Sequence, residues 1–513
     1  EIASAYDQPA IRLALGVADP EVLPLLENSL GRADVPVFNP EGRPRRHDAL
    51  HGLLEALAAF AAGQEFEAAA ALLRCPDVLA WLRTRAAGKF FPATLLAELD
   101  ALQAEHLPPT LSAALARAAA FPAAAQALAA IAELHGILTA GRFPENAANT
   151  LSVIFSGRRI EAAGPLAESA GAWTATLRET GRALANFRGD RLTLVEAWEF
   201  VLEEFAAATR TRERPAGAID LLGWLELLWE DAPHLVVAGL NDGRVPDTVT
   251  GDPFLPEALR VRLGLKTNAA RFARDAYLLS ALAASRAGAG RLDLLYGKTS
   301  AAGDPLRPSR LLLCCADVEL PARVARLFRP AEAAGPMLPW SRAWRLKPRC
   351  LAPPGKLSVT ALRDWLHCPF RFYLRHVLRM KRVEPAKAEL DARDFGILLH
   401  AALQQLGENA ALRECSDAGA LADFLLARFE RVARARYGTE LTLPLVVQFE
   451  SARQRLRAAA AVEARERADG WRTEQVEWKF SFPLGGLALH GKIDRIDRHA
   501  DGRVRVLDYK TGD

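Results

Sequence analysis

The chain has 513 residues, half of them hydrophobic and a quarter charged, with a formal net charge of +3 and a pI near 8.6. That length predicts several domains, the composition is that of a globular protein, and the near-balanced charge excludes a uniformly basic molecule, so any basic surface must be local. Six scattered cysteines without a C-x-x-C pair exclude a zinc ribbon, and no signal peptide or apolar run of 18 residues is present, so a soluble, cytoplasmic protein with no membrane partner is expected.

Ile11 to Val17 reads as a buried strand, Asp19-Pro20 opens a helix, and Val35 to Phe38 is the next strand. This β-α-β order predicts a parallel α/β layer. From about Asp48 to Arg214 apolar residues recur every three or four positions, as in Leu53, Leu54, Leu57 and Phe60, which predicts helices almost throughout. Trp81, Trp173, Trp198 and Trp224 are expected in the core or at interfaces. Strand character returns at His234–Leu240, a helix is expected over 274–287, and Arg291–Tyr296 is a further strand. Gly297-Lys298-Thr299 imitates the end of a phosphate-binding loop. Leu292 stands where that loop needs glycine, and a loop follows where a helix is needed, so no nucleotide site is expected.

Six prolines between Pro330 and Pro354 mark a linker. Beyond it Ser358 is placed to cap a helix holding Leu362, Trp365, Leu366, Phe370, Tyr373 and Leu374, centred on His367-Cys368-Pro369-Phe370. Asp391 to His400 follows, then helices over 417–435 and 446–468. Strands over 473–483, 486–497 and 503–510 complete a small mixed sheet. The last two enclose an Asp501-Gly502 turn. Alternation along a strand puts Asp508 and Lys510 on one face, and Asp494 falls beside Asp508 on the partner strand. Carboxylates that close repel unless a cation lies between them, and hard divalent ions favour carboxylate oxygen. The chemistry implied is metal-assisted attack of water on a phosphodiester. Among ten lysines only Lys479 and Lys510 follow a carboxylate by two positions. Glu477-Trp478-Lys479 lacks a Gly-x-x-Asp strand just upstream, so the later triplet is preferred.

Gly491-Lys492-Ile493-Asp494-Arg495-Ile496-Asp497 with Asp508-Tyr509-Lys510-Thr511-Gly512 resembles the PD-(D/E)XK nuclease superfamily. Phe395-Gly396-Ile397-Leu398-Leu399-His400 and Cys368-Pro369-Phe370-Arg371-Phe372-Tyr373-Leu374 ahead of them resemble its RecB-type branch. The Gly239–Pro246 loop and the Ser285-Arg286-Ala287 helix end are similar to the second RecA-like domain of UvrD-type helicases. Together the pattern resembles the AddB-type subunits of AddAB (RecBCD-like) helicase-nucleases. The fold this implies is α/β: a UvrD-like RecA-type helicase domain with a large helical insertion, followed by a PD-(D/E)XK nuclease domain with a mixed sheet flanked by helices. Residues 1–75 would be the first part of the RecA-like domain, 76–225 the insertion, 226–330 its remainder, 331–355 the linker and 356–513 a C-terminally truncated nuclease. The chain opens on Glu1 and stops three residues after Lys510, which reads as a fragment of a longer polypeptide.

By the same resemblance, His400, Asp494, Asp508 and the Tyr509 carbonyl would hold Mg2+ or Mn2+. Asp494, Asp508 and Lys510 would be catalytic, with Lys510 orienting or deprotonating water and stabilising the transition state, and Glu477 an outer ligand. Cys368 would supply one ligand of a 4Fe–4S cluster if further cysteines follow residue 513. The function implied is exonuclease action on single-stranded DNA during double-strand-break repair, with DNA and an AddA-like helicase-nuclease subunit as partners in a heterodimer. The rival reading is a non-catalytic DNA-binding scaffold for a partner helicase, which the missing ATPase signature favours for residues 1–330. A stand-alone RecB-like exonuclease is disfavoured by the long helicase-like region.

Overall fold

The structure is a computed structural model that describes residues 6, 9–86, 91–186, 192–300, 302–329, 354–380 and 384–510. Residues 331–353 of the expected linker, with Cys350, and the Thr511-Gly512 end of the last motif lie outside the described residues. The chain divides into two compact units, residues 1–47 with 206–345 and residues 48–205 with 346–513.

The first unit is built on a five-stranded parallel sheet. Its order is Val37–Phe38, Ile219–Gly223, Leu13–Val17, His234–Ala238, Arg291–Leu294. The central strand, Leu-Ala-Leu-Gly-Val, is buried along its whole length. A continuous apolar run suits a strand covered on both faces. Leu13, Leu15 and Val17 pack with Ile219, Leu221 and Val236 on one side. Ala14 packs with Leu235, Val237, Leu278 and Leu282 on the other. The strand starts at Leu13 rather than Ile11, because Pro9–Arg12 forms a helical turn. Ile219–Gly223 carries little strand signal of its own. Asp220 interrupts it, and the Leu/Trp-rich stretch that follows has no strand period. At the carboxyl edge of the sheet, Gly239 adopts φ +82° and a Cβ there would lie 2.7 Å from the Asp19 side chain. Arg244 bridges Asp19, at 3.4 Å, and Glu21 across the same loops. In the Gly297–Thr299 loop the Asn241 side chain brackets Gly297, accepting from its N–H at 3.0 Å and donating to its carbonyl at 2.7 Å. The next helical turn begins only at Arg310.

In the second unit, helices between Ala49 and Phe205 bury one continuous apolar core that includes Leu54, Leu57, Phe60, Leu99, Leu128, Ile131, Trp173 and Trp198. Trp173 and Trp198 stack with ring centroids 5.9 Å apart. The C-terminal part of this unit comprises β1 (Lys356–Ser358), α1 (Val359–His367), α2 (Ala392–Glu408), α3 (Ala418–Tyr437), α4 (Leu443–Ala468), β2 (Trp471–Leu484), β3 (Leu487–His499) and β4 (Val504–Leu507). Ser358 caps α1 by accepting from Ala361 N–H, and Asp391 caps α2 by accepting from Asp394 N–H. The sheet is mixed: β3 pairs antiparallel with β2 and β4 and parallel with β1. Gly485 and Gly486, at φ +52° and +83°, close the β2–β3 hairpin in the left-handed turn such hairpins require. Leu398, Leu399, Ala402 and Leu406 of α2 meet Leu425 and Phe429 of α3 and Leu445, Phe449 and Leu456 of α4.

One leucine from the helical segment belongs to that last core. Leu107 ends the helix Pro92–His106 in the left-handed conformation, φ 44°, ψ 51°, and its side chain is 4% exposed among the α2–α4 residues. The surrounding backbone is tied down. Gln103 donates to the Lys387 carbonyl at 3.1 Å, and Arg436 donates to the Glu105 carbonyl at 3.0 Å. Among the described residues no helix is long and apolar enough to cross a membrane.

Candidate active site

β3 carries charged groups on both of its faces. Lys492 and Asp494 leave one face, Arg495 and Asp497 the other, as the period of two requires. α2 packs on β2 and β3 and brings His400 to the first face.

There His400, Glu477 and Asp494 each offer a ligand atom, and the three atoms lie within 4.8 Å of one another. His400 Nδ1 is 3.7 Å from Asp494 Oδ2. The same carboxylate oxygen accepts the Tyr509 N–H at 2.9 Å. His400 Nε2 lies 3.1 Å from the Tyr509 carbonyl. A carbonyl only accepts, so Nε2 carries the proton and Nδ1 turns its lone pair toward Asp494. The carbonyl retains a second lone pair. Tyr509 also meets the imidazole edge-on, with centroids 5.5 Å apart.

Glu477 reaches this group through an unusual backbone. The pairs Ile493–Trp478 and Arg495–Val476 put it opposite Asp494, and it adopts φ +52°. A left-handed non-glycine residue costs roughly 1–2 kcal/mol, and such strain gathers at functional sites. The Glu477 carboxylate pairs with the Lys492 ammonium. Both line an open cleft of about 410 Å3 with Arg393, Gly396, Ile397, His400 and Gln404.

Asp508 and Lys510 stand at the rim. The strand expected to reach residue 510 ends at Leu507, so the ladder does not hold them. Their side chains are 66% and 77% exposed and pair at 2.7 Å. The Lys510 ammonium holds the Asp508 carboxyl below the usual range, with smaller contributions from Asp494 and His400. Asp508 in turn pushes the Lys510 ammonium up. The structure thus brings His400, Asp494, the Tyr509 carbonyl and Glu477 together, and leaves Asp508 and Lys510 beside them in solvent contact. Cys368 lies elsewhere, at the N-terminus of the short helix Pro369–Phe372, where its sulfur accepts from Arg371 N–H at 3.5 Å. The sequence makes Glu477 part of a decoy triplet and an outer ligand. Its place across from Asp494 in the hairpin is the signal that gives it more weight.

The opposite face of β3 is a closed ionic network. Arg495 is buried and donates to both oxygens of Asp497 and to Glu463 of α4. Burial works to lower its pKa, but Glu463 and Asp497 outweigh that and the net shift is upward. Arg505 joins from β4 through Asp497, at 2.9 Å, and Glu466. Arg495 also donates to the Tyr509 hydroxyl at 3.3 Å, and burial pushes that phenol up. Tyr509 therefore spans the sheet: its ring and hydroxyl are anchored beneath, and its backbone faces His400 and Asp494.

The domain this sheet and cleft define is that of a nuclease: residues 356–513 match the PD-(D/E)XK nuclease superfamily. Proteins named as the AddB subunit of an ATP-dependent helicase/deoxyribonuclease are similar to the chain. The one from Heliobacterium modesticaldum is 32% identical over 191 residues, covering 32% of this chain and 15% of that protein. Those from Streptococcus equi subsp. zooepidemicus and Desulforudis audaxviator are 29% identical over 166 residues and 28% over 180, covering 31% and 30% of this chain and 14% and 15% of theirs. The matched stretch thus spans about a seventh of the length of these relatives.

Proposed function

We propose that the chain is the nuclease-bearing part of an AddB-type helicase-nuclease subunit. It would hydrolyse phosphodiesters of single-stranded DNA with Mg2+ or Mn2+ during double-strand-break repair in the cytoplasm, in company with an AddA-like helicase subunit. The observation that carries this reading is the convergence of His400, Glu477 and Asp494 within 4.8 Å, next to the Tyr509 carbonyl. One imidazole, two carboxylates and a carbonyl are a donor set for a hard divalent ion. Such an ion, when bound, would polarise the phosphodiester and make water more acidic. The protein's part is placement. Tyr509 N–H fixes one Asp494 oxygen, leaving the other free, and the Tyr509 carbonyl fixes the imidazole. Lys510, exposed and on the rim, is placed to meet the charge that develops on the phosphate oxygens.

A helicase-type RecA domain is proposed for the first unit, with residues 76–225 as its insertion. The closed carboxyl edge at Gly239, Asp19 and Arg244 favours a DNA-binding, scaffolding role for that unit over nucleotide hydrolysis. The test is release of nucleotides from end-labelled single-stranded DNA, with Mg2+ and with EDTA. Asp494→Ala and Asp508→Ala should abolish metal-dependent release while DNA binding stays within about twofold, since neither removes a phosphate-binding cation. Undiminished release by both variants would falsify the site.

A further inference from the structure

The role assigned here to Lys492 rests on the metal-site reading above. Lys492 precedes Asp494 by two positions on β3, so both side chains leave the same face. Its ammonium pairs with Glu477, a member of the three-residue cluster, and lines the same cleft as Arg393 and His400. Glu477 and Asp494 oppose each other across the strand pair. Carboxylates so placed repel unless a positive charge is near, and Lys492 supplies one. A divalent ion held by Glu477 and Asp494 would require the same carboxylate, and two cations on it would repel.

We propose that Lys492 is an exchangeable counter-ion: it neutralises Glu477 until a divalent cation takes that carboxylate, then turns into the cleft to bind a backbone phosphate of the nucleic-acid strand. The side chain is 48% exposed on a flexible four-carbon stem, so the exchange requires no rearrangement of the sheet. Metal and DNA binding are thereby linked. Each draws Lys492 away from, or frees it from, Glu477, and by reciprocity each strengthens the other.

The test uses the full chain, titrated calorimetrically with Mn2+, and the variants Lys492→Met, Lys492→Arg and His400→Ala. Lys492→Met should tighten Mn2+ binding about two- to fivefold, the size of a half-exposed ion pair, and Lys492→Arg should restore the wild-type value. Binding of a labelled single-stranded oligonucleotide should be unaffected by Lys492→Met in EDTA. With Ca2+ it should weaken, and the slope of log K against log salt should become shallower by about 0.7, one phosphate contact on a single strand. Unchanged Mn2+ affinity in Lys492→Met, with His400→Ala weakened, overturns the exchange and leaves the metal site standing. Equal loss of DNA binding in EDTA and Ca2+ does the same, since Lys492 would then be an ordinary surface cation. Unweakened Mn2+ binding by His400→Ala overturns the site and the exchange together.

Discussion

Leu107 offers the most discriminating test of how the nuclease helices are held. Leu107→Ala removes most of a side chain that is 4% exposed and packs among α2, α3 and α4. Leucine-to-alanine changes in cores cost about 2–5 kcal/mol. Leu107 enters from a separate chain segment at the edge of that core, where neighbours can close part of the void, so the lower end, about 2–3 kcal/mol, is expected. Its backbone, at φ 44° and ψ 51°, disfavours any residue with a Cβ by roughly 1–2 kcal/mol. Leu107→Gly forfeits the same burial but relieves that strain. The glycine variant should therefore be no less stable than the alanine variant, against the usual helical preference for alanine of about 1 kcal/mol. The assay is urea unfolding of the full chain, followed by circular dichroism and by hydrogen exchange of α2 amides, which isolates this unit from the other. An alanine variant that loses less than about 0.5 kcal/mol, or a glycine variant that loses a further 1 kcal/mol or more, would show that Leu107 does not complete this core.

Three further outcomes are expected. In Gly407→Ala the added methyl would overlap Val476 Cγ1 on β2, a stiff β-branched side chain, so α2 must shift and carry His400 with it. Stability should fall by about 1–3 kcal/mol and cleavage should drop, and a variant that melts and cuts like the wild type contradicts the packing. Arg495→Met strips the main partner from the buried carboxylates Asp497 and Glu463. Arg505 still reaches Asp497 and Arg467 lies 3.6 Å from Glu463, so about 3 kcal/mol is expected, and a loss under 1 kcal/mol in the same urea assay refutes it. The Asp508 carboxyl titrates below its usual value of about 3.9 because Lys510 stands beside it. A folded value below the unfolded one means the pair contributes above the unfolded pKa and is lost as pH falls through the folded one. In Lys510→Met the Asp508 midpoint, read by carboxyl NMR, should move up; no movement removes the pairing.

The C-terminal domain is legible where one period governs a long stretch. The period of two along residues 472–498, and the Asp501-Gly502 turn, announce the sheet. Ser358 and Asp391 announce the starts of α1 and α2. The approach of Asp494 to residues 508–510 follows from counting outward from that turn, and the observed register, Arg495 against Leu507, has the same sense. What is not legible depends on partners distant in sequence or on backbone that breaks the period. Nothing near Leu107 says that it packs against α2, far along the chain. Glu477 shows its carboxylate only because its φ is positive, which no neighbouring glycine or asparagine signals. Ile219–Gly223 forms a strand because the sheet has a place between Leu13–Val17 and Val37–Phe38, not because its own residues insist on one.

β3 also divides two electrostatic regimes. Arg495 and Asp497 sit behind the sheet with almost no solvent contact, where mobile ions do not reach them. Lys492, Asp508 and Lys510, on or beyond the other face, are bathed in electrolyte. Ionic strength can thus weaken what the cleft grips while the strand beneath keeps its shape, so that one ribbon of backbone separates a dry girder from a wet hand.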